Sequence, residues 1–270
     1  MKMLKNQYET IKLTENESWL TIWLDRPEAK NALSEKMAQE LVKVLSYSAN
    51  DKTIRGLALR STGKCFCSGA DLKDFQRNFI LNNASHKQVI ELSTKLAELF
   101  KLIYHMPKPV VSLVEGAAFA GGFGIVCCSD IVIGTKNAKF SISETKIGLT
   151  PAQIAPYIVN RIGPSKAKKI ILFGTVLNGT QAYDFGVIDQ LANDTLDLET
   201  QFTALRTNLK ACAPEATAIT KDILINHDQL KPLEMTNFLA NRFADCVTGE
   251  EAKEGLKAFI EKRTPKWSEV

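Results

Sequence analysis

The sequence predicts an α/β fold built around a single core. Through the first two thirds of the chain, short apolar segments with strand-like alternation lie between longer segments with the periodicity of amphipathic helices. From Pro151 onward the pattern is mostly helical, and no linker rich in proline, glycine or serine divides the chain of 270 residues. We therefore expect a core over residues 1–200 and a C-terminal helical region over residues 201–270.

Five short segments have the pattern of strands. In residues 18–24, Leu20, Ile22 and Leu24 point to one face and the intervening residues point to the other. The other four segments are residues 55–60, 110–114, 130–135 and 138–143. We expect these segments to form the β-structure of the core.

Capping residues and prolines mark the predicted helices in the first half of the chain. A helix is expected from about Ser34, and Ser85 with Gln88 forms a capping box that opens a long helix ending before Pro107. The buried face of this long helix is predicted to carry Val89, Leu92, Leu96, Leu99 and Ile103.

Two glycines and a second capping box mark helix ends in the C-terminal half. Gly174 and Gly186 lie where helix C-caps are expected, because glycine adopts the left-handed conformation without strain. Thr248 and Glu251 have the spacing of a capping box, which predicts a final helix that ends near Arg263.

Composition and charge argue against several classes of protein. The formal net charge of +4, with scattered lysines and arginines, does not indicate a nucleic-acid binder. The six cysteines lack the spacing of zinc ligands and there are only three histidines, so we expect no metal site. The cysteines are interpreted as free, buried thiols in a reducing compartment, and a catalytic thiolate at Cys65 or Cys67 is the less favoured alternative. Residues 1–14 contain no apolar run typical of a secretory signal, and residues 116–128 are too few to span a membrane, so we expect a cytoplasmic protein.

Three glycine-containing segments are candidates for a functional site: residues 65–72, 114–124 and 140–151. One interpretation of the first two is that they are tight turns in which glycine supplies unusual backbone angles. The alternative is functional, because a turn that opens a helix presents unpaired N–H groups at the positive end of the helix dipole. Two such turns side by side could direct two N–H groups at one oxygen atom. Neither segment has the spacing of a P-loop or of a dinucleotide-binding motif.

Five motifs, in order along the chain, resemble the signatures of the enoyl-CoA hydratase/isomerase (crotonase) family. They are Asp25-Arg26-Pro27 with Asn31-Ala32-Leu33, then Ser68-Gly69-Ala70-Asp71-Leu72, then Glu115-Gly116 through Gly124 with Cys128-Ser129-Asp130, then Ala138-Lys139-Phe140 with Glu144 and residues 148–151, and finally Glu254-Gly255-Leu256 with Lys262-Arg263. The resemblance covers nearly the whole chain. It implies a crotonase-like spiral of β-β-α repeats whose C-terminal helices form a homotrimer, with a homohexamer as the alternative assembly.

The resemblance also implies an acyl-CoA site. The backbone N–H groups of Ala70 and Gly121 would form an oxyanion hole for the thioester oxygen. The residues expected to contact the substrate are Ser68, Ala70, Leu72, Gly121, Lys262 and Arg263. The two cations fit equally well as charges that complement a helix C-terminus. Coenzyme A is part of the substrate, so no separate cofactor is expected, and neither nucleic acid nor membrane is an expected partner.

One position departs from the family pattern. Glu144 matches one of the two glutamates that typical hydratases use, whereas Gly124 takes the place of the other. We expect Glu144 to be the principal acid/base, with a pKa raised by apolar surroundings; the alternative is a solvated loop carboxylate. We also expect the missing side chain at Gly124 to leave a space for water beside the reacting carbons.

The segments around Gly124 and Glu144 are similar to bacterial methylglutaconyl-CoA and isohexenylglutaconyl-CoA hydratases, which also have a small residue at the first glutamate position. The resemblance therefore favours an enoyl-CoA hydratase over a Δ3,Δ2-enoyl-CoA isomerase, with a catalytically silent acyl-CoA-binding homologue as the third alternative. Asp71 is interpreted as a helix N-cap, with Asp74 at position N3. Phe75 and Phe79 are candidates for the acyl pocket, with the core as their alternative location.

Overall fold

Two β-sheets organise the residues described by the structure, a computed structural model that covers residues 8–77, 83–227 and 230–269. The strands are β1 (Ile11–Asn16), β2 (Trp19–Leu24), β3 (Gly56–Ser61), β4 (Cys65–Cys67), β5 (Val110–Val114), β6 (Ala117–Phe119), β7 (Ile131–Thr135), β8 (Lys139–Ser141), β9 (Val176–Asn178) and β10 (Gln190–Ala192). The larger sheet has the order β1-β2-β3-β5-β7-β10 and the smaller sheet the order β4-β6-β8-β9. The β1–β2 and β8–β9 pairs are antiparallel, and the other pairs are parallel.

Helices cover both faces of the larger sheet and form the C-terminal extension. They are α1 (Glu35–Asn50), α2 (Leu72–Phe75), α3 (His86–Tyr104), α4 (Gly121–Cys128), α5 (Ala155–Phe173), α6 (Gly179–Phe185), α7 (Thr195–Lys210), α8 (Pro214–Asn226), α9 (Pro232–Thr248) and α10 (Glu250–Glu261). Buried residues of α1, α3, α4 and α5 form the main core on one face of the larger sheet. Leu198 and Phe202 of α7 pack on the opposite face.

The chain winds through the two sheets in a repeated β-β-α pattern. β3 lies in the larger sheet and β4 in the smaller one; β5 and β6 repeat this placement before α4, and β7 and β8 repeat it before α5. Because the central strands of the larger sheet are covered on both faces, β5 is apolar almost throughout and buried at every position. The predicted crotonase-like spiral with a helical C-terminal region is confirmed.

The five predicted strands are present as β2, β3, β5, β7 and β8. The structure also contains β1, β4, β6, β9 and β10, which the sequence pattern does not predict. β1 is an outer strand with only Ile11 buried, so its apolar alternation is weak. The strands β4, β6, β9 and β10 have three residues each, which is too short for a periodic pattern to emerge. β8 is equally short, but the alternating segment 138–143 that predicts it extends beyond the strand on both sides.

The predicted helix starts in the first half of the chain are confirmed. The Ser34 hydroxyl accepts a hydrogen bond from Met37 N at 3.2 Å, and Ser85 and Gln88 form the complete capping box of α3. The predicted buried face of α3 is only half right, because Val89 is 37% exposed and full burial begins at Leu99. The first half of α3 therefore extends beyond the main core.

The C-terminal helices begin differently from the prediction. Gly174 and Gly186 are left-handed C-caps as predicted, but the second capping box is wrong. α9 continues through Thr248, whose hydroxyl donates to its own helix. Glu251 instead accepts hydrogen bonds from Glu215 N at 2.9 Å and Ala216 N at 3.1 Å, so it caps the start of α8.

Residue 200, the predicted end of the core region, lies within α7. All six cysteines are free as predicted, but only Cys67, Cys127 and Cys128 are buried, and Cys212 is exposed. None of the helices in the described ranges combines the length and apolar character needed to cross a bilayer.

The cap supplied by Glu251 gives a stability prediction. Glu251→Ala removes the acceptor for two N–H groups at the start of α8, so the free energy of unfolding should fall by about 1 kcal/mol in denaturant titrations. Glu250→Ala is the matched control, because this neighbouring side chain is 88% exposed and pairs with Lys253 within its own helix. Equal losses in the two variants would contradict the capping role.

Candidate active site

Three parallel strands of the smaller sheet end at one edge, and each is followed by a candidate site residue. β4, β6 and β8 are adjacent and parallel, so their carboxyl ends lie together. Ala70 follows β4 by three residues, Gly121 follows β6 by two, and Glu144 follows β8 by three. The spiral therefore brings to one edge three residues that are far apart in the sequence.

The turns after β4 and β6 are in direct contact. Gly69 has a φ of +97°, and a Cβ added there would lie 2.5 Å from the Ala120 Cβ and 3.4 Å from the Gly121 nitrogen. Only glycine fits at this point, because both the backbone conformation and the available space exclude a side chain. The backbone of Gly69 and Ala70 is thereby held beside the N-terminus of α4.

The N–H groups of Ala70 and Gly121 remain available for a ligand. The bridge between Leu33 and Ala70 uses the Gly69 carbonyl and the Asp71 N–H, at 2.8 and 3.1 Å, and leaves out the Ala70 N–H. Gly121 is the first residue of α4, where an N–H has no acceptor within the helix. Neither group donates a hydrogen bond to any residue in the described ranges. Because Ala70 is exposed and Gly121 is half-buried, both can meet a bound oxygen.

Ala120 holds a strained backbone conformation directly before Gly121. Its φ of 50° and ψ of −122° belong to a region that residues with a side chain rarely adopt. The Ala120 N–H donates to the Ser141 carbonyl at 2.9 Å and thereby continues the pairing of β6 with β8. This bond fixes the direction in which α4 starts, and with it the position of the Gly121 N–H.

An ion pair holds the residue after Ala70. Arg26 donates to the Asp71 carboxylate at 3.0 Å and to the Ala32 carbonyl at 2.8 Å. Asp71 also accepts from Lys73 N at 3.1 Å, which confirms its predicted role as an N-cap. Burial acts to raise the pKa of Asp71, but the hydrogen bonds from Arg26 and from the helix N-terminus outweigh it and lower the pKa below its usual value.

Asn31 connects the same region to the core, a role that the motif alone did not indicate. The side-chain amide donates to the Thr62 and Cys65 carbonyls at 2.8 and 2.7 Å, and its oxygen accepts from Arg26 N at 2.7 Å. Asn31 is fully buried, so these hydrogen bonds fix the start of β4 and the loop before it against the segment that contains Arg26 and Asn31.

Glu144 is a half-buried carboxylate with one oxygen left without a partner. It starts a 3₁₀ turn (Glu144–Ile147) that Gly148 ends in a left-handed conformation. Its Oε2 atom is buried and has no hydrogen bond to any described residue. Burial raises the pKa of Glu144, and hydrogen bonds from the N–H groups of Ser143 and Glu144 only partly oppose this effect. This is the direction predicted from the sequence, and it suits a group that exchanges protons near neutral pH.

The predicted space at Gly124 is absent. A Cβ added to Gly124 would lie 2.9 Å from the Ile154 Cβ, still closer to the Ile154 Cγ2, and 3.0 Å from the Phe100 Cε1. The expectation of a water-sized gap is therefore wrong, because these two apolar side chains have filled it. Position 124 is lined by hydrocarbon.

The remaining predicted residues lie in two places. Ser68 is half-buried and Leu72, at the start of α2, is 63% exposed; both are adjacent to the Ala70 turn in the sequence. Lys262 and Arg263 follow α10, and Arg263 pairs with Glu254 at 2.7 and 3.0 Å. In the described ranges, neither cation forms a hydrogen bond with residues 68–72 or 121.

Two further predictions concern neighbouring residues. Phe75 is half-buried at the end of α2, and Phe79 lies outside the described residues. Asp74 occupies position N3 of α2 as predicted. In the described ranges, His, Cys, Asp and Glu side chains do not gather in groups of three or more that could hold a metal ion.

Comparisons with known proteins match nearly the whole chain to one family. Residues 14–270 match the family model described as enoyl-CoA hydratase/isomerase. The crystal structure of an enoyl-CoA hydratase/isomerase from Marinobacter aquaeolei superimposes with a TM-score of 0.92 at 34% identity, over 96% of this chain and 99% of that one. The crotonyl-CoA hydratase of Syntrophomonas wolfei is 28% identical over 95% of this chain and 96% of its own length. The 1,2-epoxyphenylacetyl-CoA isomerase of Escherichia coli is 29% identical over 92% and 94%, respectively.

The environment of Glu144 predicts a pH-dependent gain in stability when its charge is removed. Its folded pKa lies above the ordinary value of 4.5, so the ionised form weakens folding and wild-type stability is lost as pH rises through the folded pKa. Glu144→Gln should therefore melt at a higher temperature than wild type at pH 7, and this advantage should shrink as pH falls through the folded pKa and be smallest below about 4.5.

The control for this measurement is Glu28→Gln, which changes an exposed carboxylate. It should show no comparable pH-dependent difference in calorimetric melts. A Glu144→Gln advantage that is constant with pH, or that grows toward acid, would contradict a raised pKa.

Proposed function

This chain belongs to the enoyl-CoA hydratase/isomerase family, and we propose that it adds water across the 2,3 double bond of an enoyl-CoA thioester. The observation that carries the proposal is the convergence of three groups at one sheet edge. Two of these are the N–H groups of Ala70 and Gly121, and the third is the half-buried Glu144 carboxylate; the two N–H groups and Oε2 of Glu144 have no partner among the described residues. Such a combination fits a substrate that develops negative charge on oxygen while a proton moves nearby.

In the proposed reaction, the thioester carbonyl oxygen accepts hydrogen bonds from Ala70 N–H and Gly121 N–H. These bonds draw electrons toward the oxygen and make C3 of the enoyl group electrophilic. Glu144 removes a proton from water as the water oxygen bonds to C3, and the electron pair of the double bond moves to form the enolate. The protonated Glu144 then returns its proton to C2. Because one carboxylate handles both steps, hydrogen and hydroxyl add to the same face.

We assign the CoA portion of the substrate to the other predicted residues. Ser68, Ala70 and Leu72 line the adenine and pantetheine path in this proposal, and exposed Leu72 offers apolar contact. Of the two candidate cations, Arg263 is already paired with Glu254, so Lys262 is the better candidate for a CoA phosphate. A glutaconyl-type acyl group with a second carboxylate is the substrate class that we favour.

Δ3,Δ2-enoyl-CoA isomerisation is the second candidate function, and a specific observation favours it. Ile154 and Phe100 line position 124 with hydrocarbon, and a purely isomerising enzyme has no use for water there. Glu144 alone can move a proton from C2 to C4. A silent acyl-CoA binder, the third alternative, would leave the absorbance of the conjugated enoyl thioester unchanged over time.

We further propose that copies of this chain assemble through the C-terminal helices, as a homotrimer or as two stacked trimers. Several large apolar side chains of α9 and α10 are mostly exposed in the single chain. They are Leu233, Phe243, Leu256, Phe259 and Ile260. Phe259, at 83% exposure, illustrates how much apolar surface a neighbouring copy could cover.

The proposed hydration is tested in water labelled with ¹⁸O. The wild-type chain should convert a 2-enoyl-CoA to a 3-hydroxyacyl-CoA that carries the label at C3, across a panel that includes glutaconyl-type thioesters. In D₂O, deuterium at C2 and hydroxyl at C3 should lie on the same face. Glu144→Gln should reduce turnover by about 10²–10⁴-fold, the usual contribution of a general acid/base. Conversion of 3-enoyl to 2-enoyl thioesters without label uptake from any substrate would instead establish the isomerase.

A further inference from the structure

Ile154 and Phe100 occupy the volume that a side chain at position 124 would require. A Cβ at Gly124 would lie 2.9 Å from the Ile154 Cβ and 3.0 Å from the Phe100 Cε1, and real Cβ atoms do not approach other atoms more closely than about that distance. Gly124 is itself buried in α4. Position 124 cannot accept even alanine unless a neighbour moves.

Ile154 is poorly able to move away. It is 3% exposed and lies at the N-cap of α5. Its N–H donates to the Pro151 carbonyl and its carbonyl accepts from Ile158 N, both at 3.1 Å. Branching at Cβ leaves the side chain few rotamers, so rotation would not clear the space. Phe100 is fully buried beside it.

This apolar wall borders the proposed oxyanion hole. Gly121 and Gly124 are three residues apart in α4, so they lie on the same face of the helix, one turn apart. The Phe100 ring reaches both positions: its Cζ lies 3.9 Å from the Cβ position of Gly121, and its Cε1 lies 3.0 Å from that of Gly124. A group placed at position 124 would therefore lie close to a thioester bound at Gly121.

We propose that Ile154 is the specificity-determining residue that restricts the acid/base chemistry of this site to a single carboxylate, that of Glu144. Its side chain excludes a second acid group at position 124 and keeps water away from that side of the reacting carbons. Glycine at 124 and isoleucine at 154 form a matched pair, in which one residue supplies the volume that the other lacks. This inference rests on the proposed function, because it concerns the acid/base chemistry of the same site.

The steric part of the proposal is tested by thermal melting, which does not depend on any activity. Gly124→Ala should lower the melting temperature of the wild-type chain by about 4 °C or more, because it overpacks a filled space. In the Ile154→Ala background the same change should lower the melting temperature by less than half as much, because the nearest atom, Cγ2, is gone and only the Cβ contact at 2.9 Å and Phe100 remain. Ile154→Val is the matched control, since it keeps Cγ2 and should leave Gly124→Ala as damaging as before. Equal effects of Gly124→Ala in all three backgrounds would overturn the pairing.

The chemical part compares Gly124→Glu/Ile154→Ala with Gly124→Gln/Ile154→Ala, which have nearly the same shape and differ in charge. The glutamate variant should hydrate a 2-enoyl-CoA at least about tenfold faster than the glutamine variant and gain an additional pH-dependent limb in its rate profile. Equal rates and profiles would overturn the assignment of Ile154 as the residue that excludes a second acid. Failure of the proposed function is distinguishable, because then wild type would hydrate no enoyl thioester while the melting comparison would still report on the pairing.

Discussion

The close approach of the first turn of α4 to β4 is the constraint on which the site depends. A Cβ at Gly122 would lie 2.7 Å from the Cys67 Cβ, so the first turn of α4 can pack against β4 only without a side chain there. Phe123, one residue later, points into the core and contacts Phe140 of β8, with ring centroids 5.8 Å apart. These contacts hold the ends of three strands together. The N–H groups of Ala70 and Gly121 and the Glu144 carboxylate gain their common location from this packing.

The same region holds groups in states that are unfavourable for the isolated protein. Ala120 has a strained backbone, Glu144 has a desolvated carboxylate, and the N–H groups of Ala70 and Gly121 have no acceptor in the part of the chain that the structure describes. The surrounding structure compensates through the Arg26–Asp71 ion pair, the buried Asn31 amide and the pairing of β6 with β8. A thioester whose oxygen accepts hydrogen bonds from both N–H groups would relieve part of this cost, which is how a preorganised site favours developing charge.

The sequence predicts the elements with strong local patterns and the residues that motifs mark. α1, α3 and β5 have capping residues or apolar runs that decide their type, and the glycine-rich turns indicate where N–H groups are free. Contacts between residues that are distant in the sequence could not be predicted from such local patterns. The Arg26–Asp71 pair spans 45 residues, and the loss of a side chain at Gly124 says nothing about which neighbour fills the space. The second capping box was wrong because Glu251 acts on another helix rather than on its own.

The central claim is that Ala70 N–H and Gly121 N–H polarise one thioester oxygen. Isotope-edited infrared spectroscopy of a saturated acyl-CoA, labelled with ¹³C at its thioester carbonyl, measures this polarisation without turnover. At saturating ligand, the labelled carbonyl band should shift to lower frequency in the wild-type chain and in Gly121→Ala, which keeps its N–H. The shift should be much smaller in Gly121→Pro, which loses that donor. A bound thioester whose carbonyl band stays at its solution frequency in the wild-type chain would contradict the account.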